Sequence, residues 1–338
     1  MSGQVSGVLK VAVTALILAF IAWQFDFSAV TSTLSTISAF AAVAAVLVVF
    51  VQTIFTAERL VMVTALFGVR FPVRDSLKVI LEGMFFSHTF LSFLGGDAMR
   101  IWRIRRYGLP VMDATSAVVL DRLIGILINH VFLLASLPWL LMHVKDESVK
   151  FALVLLALAG VGGFAAILLL GSLRGRRGYL HRLRARIPIR SVAMLLVEAS
   201  TVGRHFLAQY RHLVRASFVS VLIAAANMLV FAIILLGMGV DLSLTIGCSL
   251  LVPAVLEIAM IPVSIAGLGL REGAAAVAFG ALGLPVDQAL GSSLAYGLAV
   301  AIVSLSGGMM WLSDRRRKAP MISKDQHHAQ PARAGRSD

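Results

Sequence analysis

Charge is scarce in this chain, and acid is scarcer than base. Asp and Glu number 17 against 30 Lys and Arg, and charged residues make up 14% of the 338 positions. A soluble domain carries about a quarter, so a water-exposed globular fold is excluded for most of the chain. Cysteine is nearly absent. The single Cys248 lies in an apolar segment, which excludes a disulfide framework and a cysteine-based metal cluster. There is no phosphate loop, zinc signature or nucleophile–base–orienter set, and Asn129 beside His130 does not make one. His88 and His130 have apolar surroundings and no second ligand at metal spacing, so they read as core histidines. No catalytic residue, metal or cofactor is expected.

What the chain has in abundance is apolar sequence. Hydrophobic residues reach 59%, in runs of bilayer length that recur from the N-terminus to Trp311. An all-α polytopic membrane protein follows, with residues 1–315 as one membrane domain. From Ala319 onward the sequence turns polar, and residues 316–338 read as a disordered tail. The net charge of +13 does not call for nucleic acid, because Lys and Arg collect in cytoplasmic loops under the positive-inside rule. The first run, residues 8–25, lacks a clear cleavage site and reads as a retained span.

Full spans are expected at residues 8–25, 34–56, 113–142, 151–172, 216–240 and 289–312, 18 to 30 residues each against the roughly 20 a bilayer requires. Two more apolar regions, 79–94 and 242–284, contain polar interruptions. Basic loops lie at Arg100–Arg106, at residues 174–190 with seven arginines and no acid, and at 315–318. Placing all three in the cytoplasm makes region 79–94 enter and leave from inside, region 242–284 from outside, and both termini cytoplasmic. The expected architecture is six transmembrane helices plus two re-entrant broken-helix hairpins in an inverted repeat, eight membrane-embedded segments in all. Two thin spans in place of either hairpin leave the parity unchanged. Pro253 and Pro262 are expected to kink or break the second region, and residues 191–213 resemble an interfacial amphipathic helix.

The interruptions share a pattern. Ser92 is followed by Gly95, Gly96, Asp97 and Arg100; Ser264 is followed by Gly267, Gly269, Arg271 and Glu272. Further ionisable residues break apolar helices at Glu58, Arg59, Glu82, Asp121, Arg122 and Glu257. A charge at the bilayer centre costs about 2.5–3.5 kcal/mol on insertion scales. Interfacial snorkelling or an internal ion-pair network that only fixes the fold would account for these residues. The functional alternative is a set of arginines, paired with Asp97, Glu257 and Glu272 when empty, that grips an anionic head group by fork geometry. Helix N-termini starting after the glycines would assist.

At these residues the chain resembles the lysylphosphatidylglycerol synthase transmembrane region, also described as the flippase-like domain. The resemblance is carried by Glu58-Arg59-Leu60, by Gly95 to Arg100, by Asp121-Arg122-Leu123-Ile124 and by Pro262 to Gly273. It spans roughly residues 8 to 315. It implies a bacterial inner-membrane lipid flippase or transporter with membrane lipids as partners, whether anionic phospholipid, isoprenoid-linked lipid or hopanoid. Arg59, Arg100, Arg122 and Arg271 would face the head group. Lysyl transfer is not implied, since no soluble transfer domain is present. An accessory subunit for a lipid-synthesis enzyme, or a lipid-modifying enzyme within the membrane, are the alternatives.

Overall fold

The computed structural model of the chain describes residues 35–89, 93–173, 203, 208, 210–261 and 269–314. Those residues form helices and their connections: α1 (Ala39–Ala65), α2 (Val73–Thr89), α3 (Phe93–Arg105), α4 (Val111–His143), α5 (Glu147–Leu173), α6 (Tyr210–Gly237), α7 (Leu242–Ala259), α8 (Leu270–Gly280) and α9 (Val286–Asp314). Among them α1, α4, α5, α6, α7 and α9 are long and apolar enough to cross a membrane. Five match expected spans and the sixth, α7, lies in the second interrupted region. The expected span at 8–25, the amphipathic segment before residue 203 and the tail fall outside the described residues.

Local chemistry explains the helix ends. Ser38 caps α1, its Oγ accepting from the Ala41 N–H at 3.2 Å. Asp241 caps α7 through the Ser243 N–H at 2.8 Å; the Ser243 hydroxyl also donates to this carboxylate and holds it below the usual carboxylate range. At the far ends of α6 and α8, the N–H groups of Val240 and Leu284 turn back to carbonyls five residues earlier, across Gly239 and Gly283 in the left-handed region. Inside the helices Thr53, Thr56, Ser220 and Ser249 donate their hydroxyls to the carbonyl four residues back. Such bonding satisfies a polar group where water is absent.

The main core draws on every helix but α3 among those described, and at its centre α6, α8 and α9 meet. Phe231 packs edge-on against Phe279, centroids 5.8 Å apart, and stacks on Tyr296 at 4.8 Å. α1 packs along α6, and α2 along both α3 and α9. α2 and α3 run antiparallel: Phe71, just before α2, stacks on Tyr107, just after α3, at 4.6 Å, while Ser87 near the end of α2 meets Gly96 near the start of α3. α7 and α8 are also antiparallel, with Gly247 early in α7 beside Leu282 just past α8.

Three expectations need correction. α1 does not stop at Thr56 but continues through Glu58 and Arg59 to Ala65, because Arg59 finds a buried acid inside the bundle and needs no interface. Pro253 does not break α7, which runs through it to Ala259, and is buried; a transmembrane helix tolerates the missing N–H when neighbours surround it. The second region is interrupted later, between α7 and α8, and Pro262 lies outside the described residues. Gly95 and Gly96 do not precede a helix. They lie inside the first turn of α3, and Gly96 allows close approach: a Cβ there would sit 1.9 Å from Ser87 Oγ and 2.5 Å from the Gly83 carbonyl.

Candidate functional site

Both antiparallel pairs bring their apposed ends to the same place. Ser87 and Arg100 from α2 and α3, Met260 just after α7 and Arg271 from α8 line a single cavity of about 280 Å³. Arg59 of α1 and Asp121 and Arg122 of α4 complete its charged wall, and Gln52, Asn129, Ser220, Asn227 and Tyr296 supply neutral polar groups. Four arginines that are scattered over 213 positions of sequence therefore converge on one space.

Three of the four are held by carboxylates. Arg59 forks onto Asp121, with Nε to Oδ1 at 2.7 Å and Nη2 to Oδ2 at 3.1 Å, and donates Nη1 to Ser220 Oγ at 3.1 Å. Arg59 is 7% exposed and Asp121 1%, so snorkelling does not describe this pair. Arg122 pairs with Asp97, donating Nη2 to Oδ1 at 2.8 Å, with Nε within ion-pair distance of Oδ2 at 2.8 Å. Arg271 pairs with Glu272 and donates Nε to Ser293 Oγ at 3.0 Å, its guanidinium lying 5.4 Å above the Tyr296 ring. Glu272 also accepts from the Gly269 N–H at 2.6 Å. One amide at the N-terminus of α8, that of the preceding Gly269, is thus taken by the protein's own carboxylate.

Arg100 differs. Its Nε has no hydrogen-bond partner, and no carboxylate lies within ion-pair distance of it among the described residues. A half-buried guanidinium whose Nε is fully enclosed gains from an anion that completes it. Nearby, Gln52 donates to Asn227 Oδ1 at 2.9 Å and Tyr296 donates to the same oxygen at 2.9 Å, yet Gln52 Oε1 is buried and unpartnered. The wall is incompletely satisfied on its own.

Of the residues singled out in the sequence, Arg59, Arg100, Asp121, Arg122 and Arg271 line this cavity. Asp97 and Glu272 stand behind it as partners of Arg122 and Arg271. Gly95 and Gly96 serve α3, Gly269 begins α8 with φ +84°, and Gly267 lies outside the described residues. Glu257 is a correction: it does not join the arginines. It projects from α7 toward α4, where its Oε1 lies 2.8 Å from His130 Nδ1, and both residues line a separate, apolar cavity. Leu256, Ala259 and Met260 take the arginine-facing side of the same helix. His130 is buried, and its Nδ1 also lies 3.0 Å from the Ile126 carbonyl, which fits a core histidine. Glu82, a further buried acid, pairs with Arg103.

Gln52 and Asn227 went unnoticed in the sequence, although polar residues inside bilayer-length apolar runs were a readable signal, and Asn129 was weighed only as part of a catalytic set. No group of three or more His, Cys, Asp or Glu suited to a metal occurs among the described residues. No curated protein and no solved structure matches the chain. A family model does match, over residues 7–307, and by that match this multi-pass membrane protein belongs to the lysylphosphatidylglycerol synthase TM region family.

Proposed function

We propose that the protein moves lipids between the leaflets of a bacterial inner membrane, holding an anionic head group in the arginine cavity. The observation that carries this reading is the excess of cation over acid there: four arginines line the cavity, three are engaged by carboxylates, and Arg100 is left over. Family membership supports lipids as the material handled. A phosphate is the natural partner of converging guanidinium forks, and one phosphodiester charge would match Arg100.

The two antiparallel pairs support re-entrant insertion. α3 has 13 residues and α8 has 11, so at 1.5 Å per residue they rise about 20 and 17 Å, short of a hydrocarbon core about 30 Å thick. Entry from opposite faces, as the basic loops suggest, would relate the pairs as inverted repeats and let them alternate access to the arginines.

The test is reconstitution into liposomes with labelled phospholipids, isoprenoid-linked lipids and hopanoids. Wild-type protein is expected to accelerate leaflet exchange of an anionic lipid, and Arg100→Ala to abolish most of it with the protein still folded, since its removal strands no carboxylate. Failure to move any of the three classes defeats the reading. Normal exchange by Arg100→Ala would remove the head-group assignment. Transport only when a lipid-synthesis enzyme is co-reconstituted would favour an accessory subunit.

A further inference from the structure

α4 separates two cavities of opposite chemistry. Arg122 and Asn129 face the arginine cavity, while their chain neighbours Leu123 and His130 line a second cavity of about 340 Å³ that reaches α5 and the end of α7. Met260 lines both. We propose that this second cavity holds a hydrocarbon chain of the same lipid whose head group the arginines bind, so that the two spaces form one amphiphile site meeting at Met260. The inference rests on the head-group reading above.

Wall chemistry fixes the occupant. Apart from His130 and Glu257, every residue lining the second cavity is aliphatic, phenylalanine, methionine or glycine. The two exceptions are 8% exposed each; Glu257 Oε1 lies 2.8 Å from His130 Nδ1, and both carboxylate oxygens and His130 Nε2 are buried away from the surface without hydrogen-bond partners. Their polar atoms are sealed off, so they present almost no polar surface to the space. An apolar space of this size does not retain water, which needs two to four polar partners per molecule, and a hydrocarbon chain is the apolar body a membrane supplies.

The space is also open where a filler would go. A Cβ built at Gly163 meets nothing within 4 Å. Its neighbour one turn back, Gly160, is different, since His130 occupies that room. α5 forms the outer wall, packing mainly on α4 among the described helices. Only 11% of its most apolar window is buried, against 33% for α4, so much of α5 faces outward, although Gly203 packs on it at Ile167. A chain can reach it sideways without passing the arginines.

The experiment uses the full chain in nanodiscs and one anionic phospholipid, an N-acylated phosphatidylethanolamine, carrying a diazirine either near the end of an acyl chain or on the head group. Leu155 and Leu158 of α5 are 56% and 63% exposed and report labelling by bulk lipid. The chain probe is expected to label Leu127 and Leu156, in the cavity wall, several-fold more than those two. Gly163→Phe, which fills the cavity, is expected to erase that excess and leave head-group labelling at Thr56 and Asn129 intact; Ala159→Phe serves the same purpose if the first variant does not fold. Equal labelling of both sets, or an excess that survives both fillers, overturns the proposal while head-group labelling keeps the transport reading standing. A chain excess without head-group labelling overturns the head-group reading and the link between the cavities.

Discussion

Gly297 of α9 lies where the Arg271 guanidinium crosses it: a Cβ there would sit 2.3 Å from Nη2. The same relation recurs at Gly83, where a Cβ would come 2.8 Å from Arg100 Nε, and at Gly125, 3.1 Å from Arg59 Nη1. Three of the four cavity arginines thus rest on a glycine of a neighbouring helix. The missing side chain lets each guanidinium lie flat and fixes its direction, which matters more for a planar fork than for a point charge.

Alanine at these glycines should therefore disturb the arginines without changing any charge. Gly297→Ala is expected to cost about 1–3 kcal/mol through overpacking, because Arg271 is pinned by Glu272 and Ser293 and has little freedom to retreat. Binding of an anionic phospholipid, followed by native mass spectrometry, should weaken in the order Gly297, Gly83, Gly125. A reversed order, or unchanged binding by Gly297→Ala, would show that these contacts are packing without consequence for the site.

The Arg59–Asp121 pair allows fold and function to be separated. Removing one member of a buried ion pair costs about 3–5 kcal/mol, whereas replacing both with apolar residues is often neutral. Asp121→Leu alone is expected to lower the thermal midpoint in detergent sharply, and Arg59→Met with Asp121→Leu to recover most of it. The recovered protein should still transport poorly, since Arg59 lines the cavity. Full transport by the double variant would mark the pair as structural only.

Much of the fold was legible in the sequence, because apolar runs of bilayer length have few alternatives in lipid. α4, α5, α6 and α9 begin and end within a few residues of the expected spans. α1 was misjudged for a physical reason: a charge in sequence looks like an interface until its partner, Asp121 at a separation of 62 residues, is known. The arginines were readable one at a time as costly charges, but their convergence depended on two antiparallel helix pairs that no local pattern specifies. Glu257 went to His130 because 3.6 residues per turn carries it off the face shared by Leu256 and Met260, and neighbouring sequence does not show which face meets which cavity.

Gly269 sets where α8 begins and so where Arg271 points. Its φ of +84° and ψ of −47° belong to a region that residues with a Cβ avoid. Gly269→Ala is expected to cost about 1–3 kcal/mol in backbone strain and to loosen the Gly269 N–H bond to Glu272. Because Glu272 also holds Arg271, transport should fall together with stability as read by thermal melting. A variant with wild-type melting and wild-type transport would show that this conformation is not required.

His130 and Glu257 join α4 to α7 at the wall between the two cavities, and Gly160 of α5 makes room for the imidazole. A Cβ at Gly160 would sit 1.6 Å from His130 Cδ2, so the ring must shift, and its Nδ1 is placed between the Ile126 carbonyl and Glu257. Gly160→Ala should then push His130 off its partner and destabilise the protein by about 1–3 kcal/mol. Glu257→Gln weakens the same contact from the other side. If both act through it, the double variant should cost less than the sum of the singles, a coupling in the range of about 0.5–3 kcal/mol expected for residues sharing one contact. Strict additivity in a thermal or denaturant double-mutant cycle would place the Gly160 effect in helix packing alone, with the His130–Glu257 contact left intact.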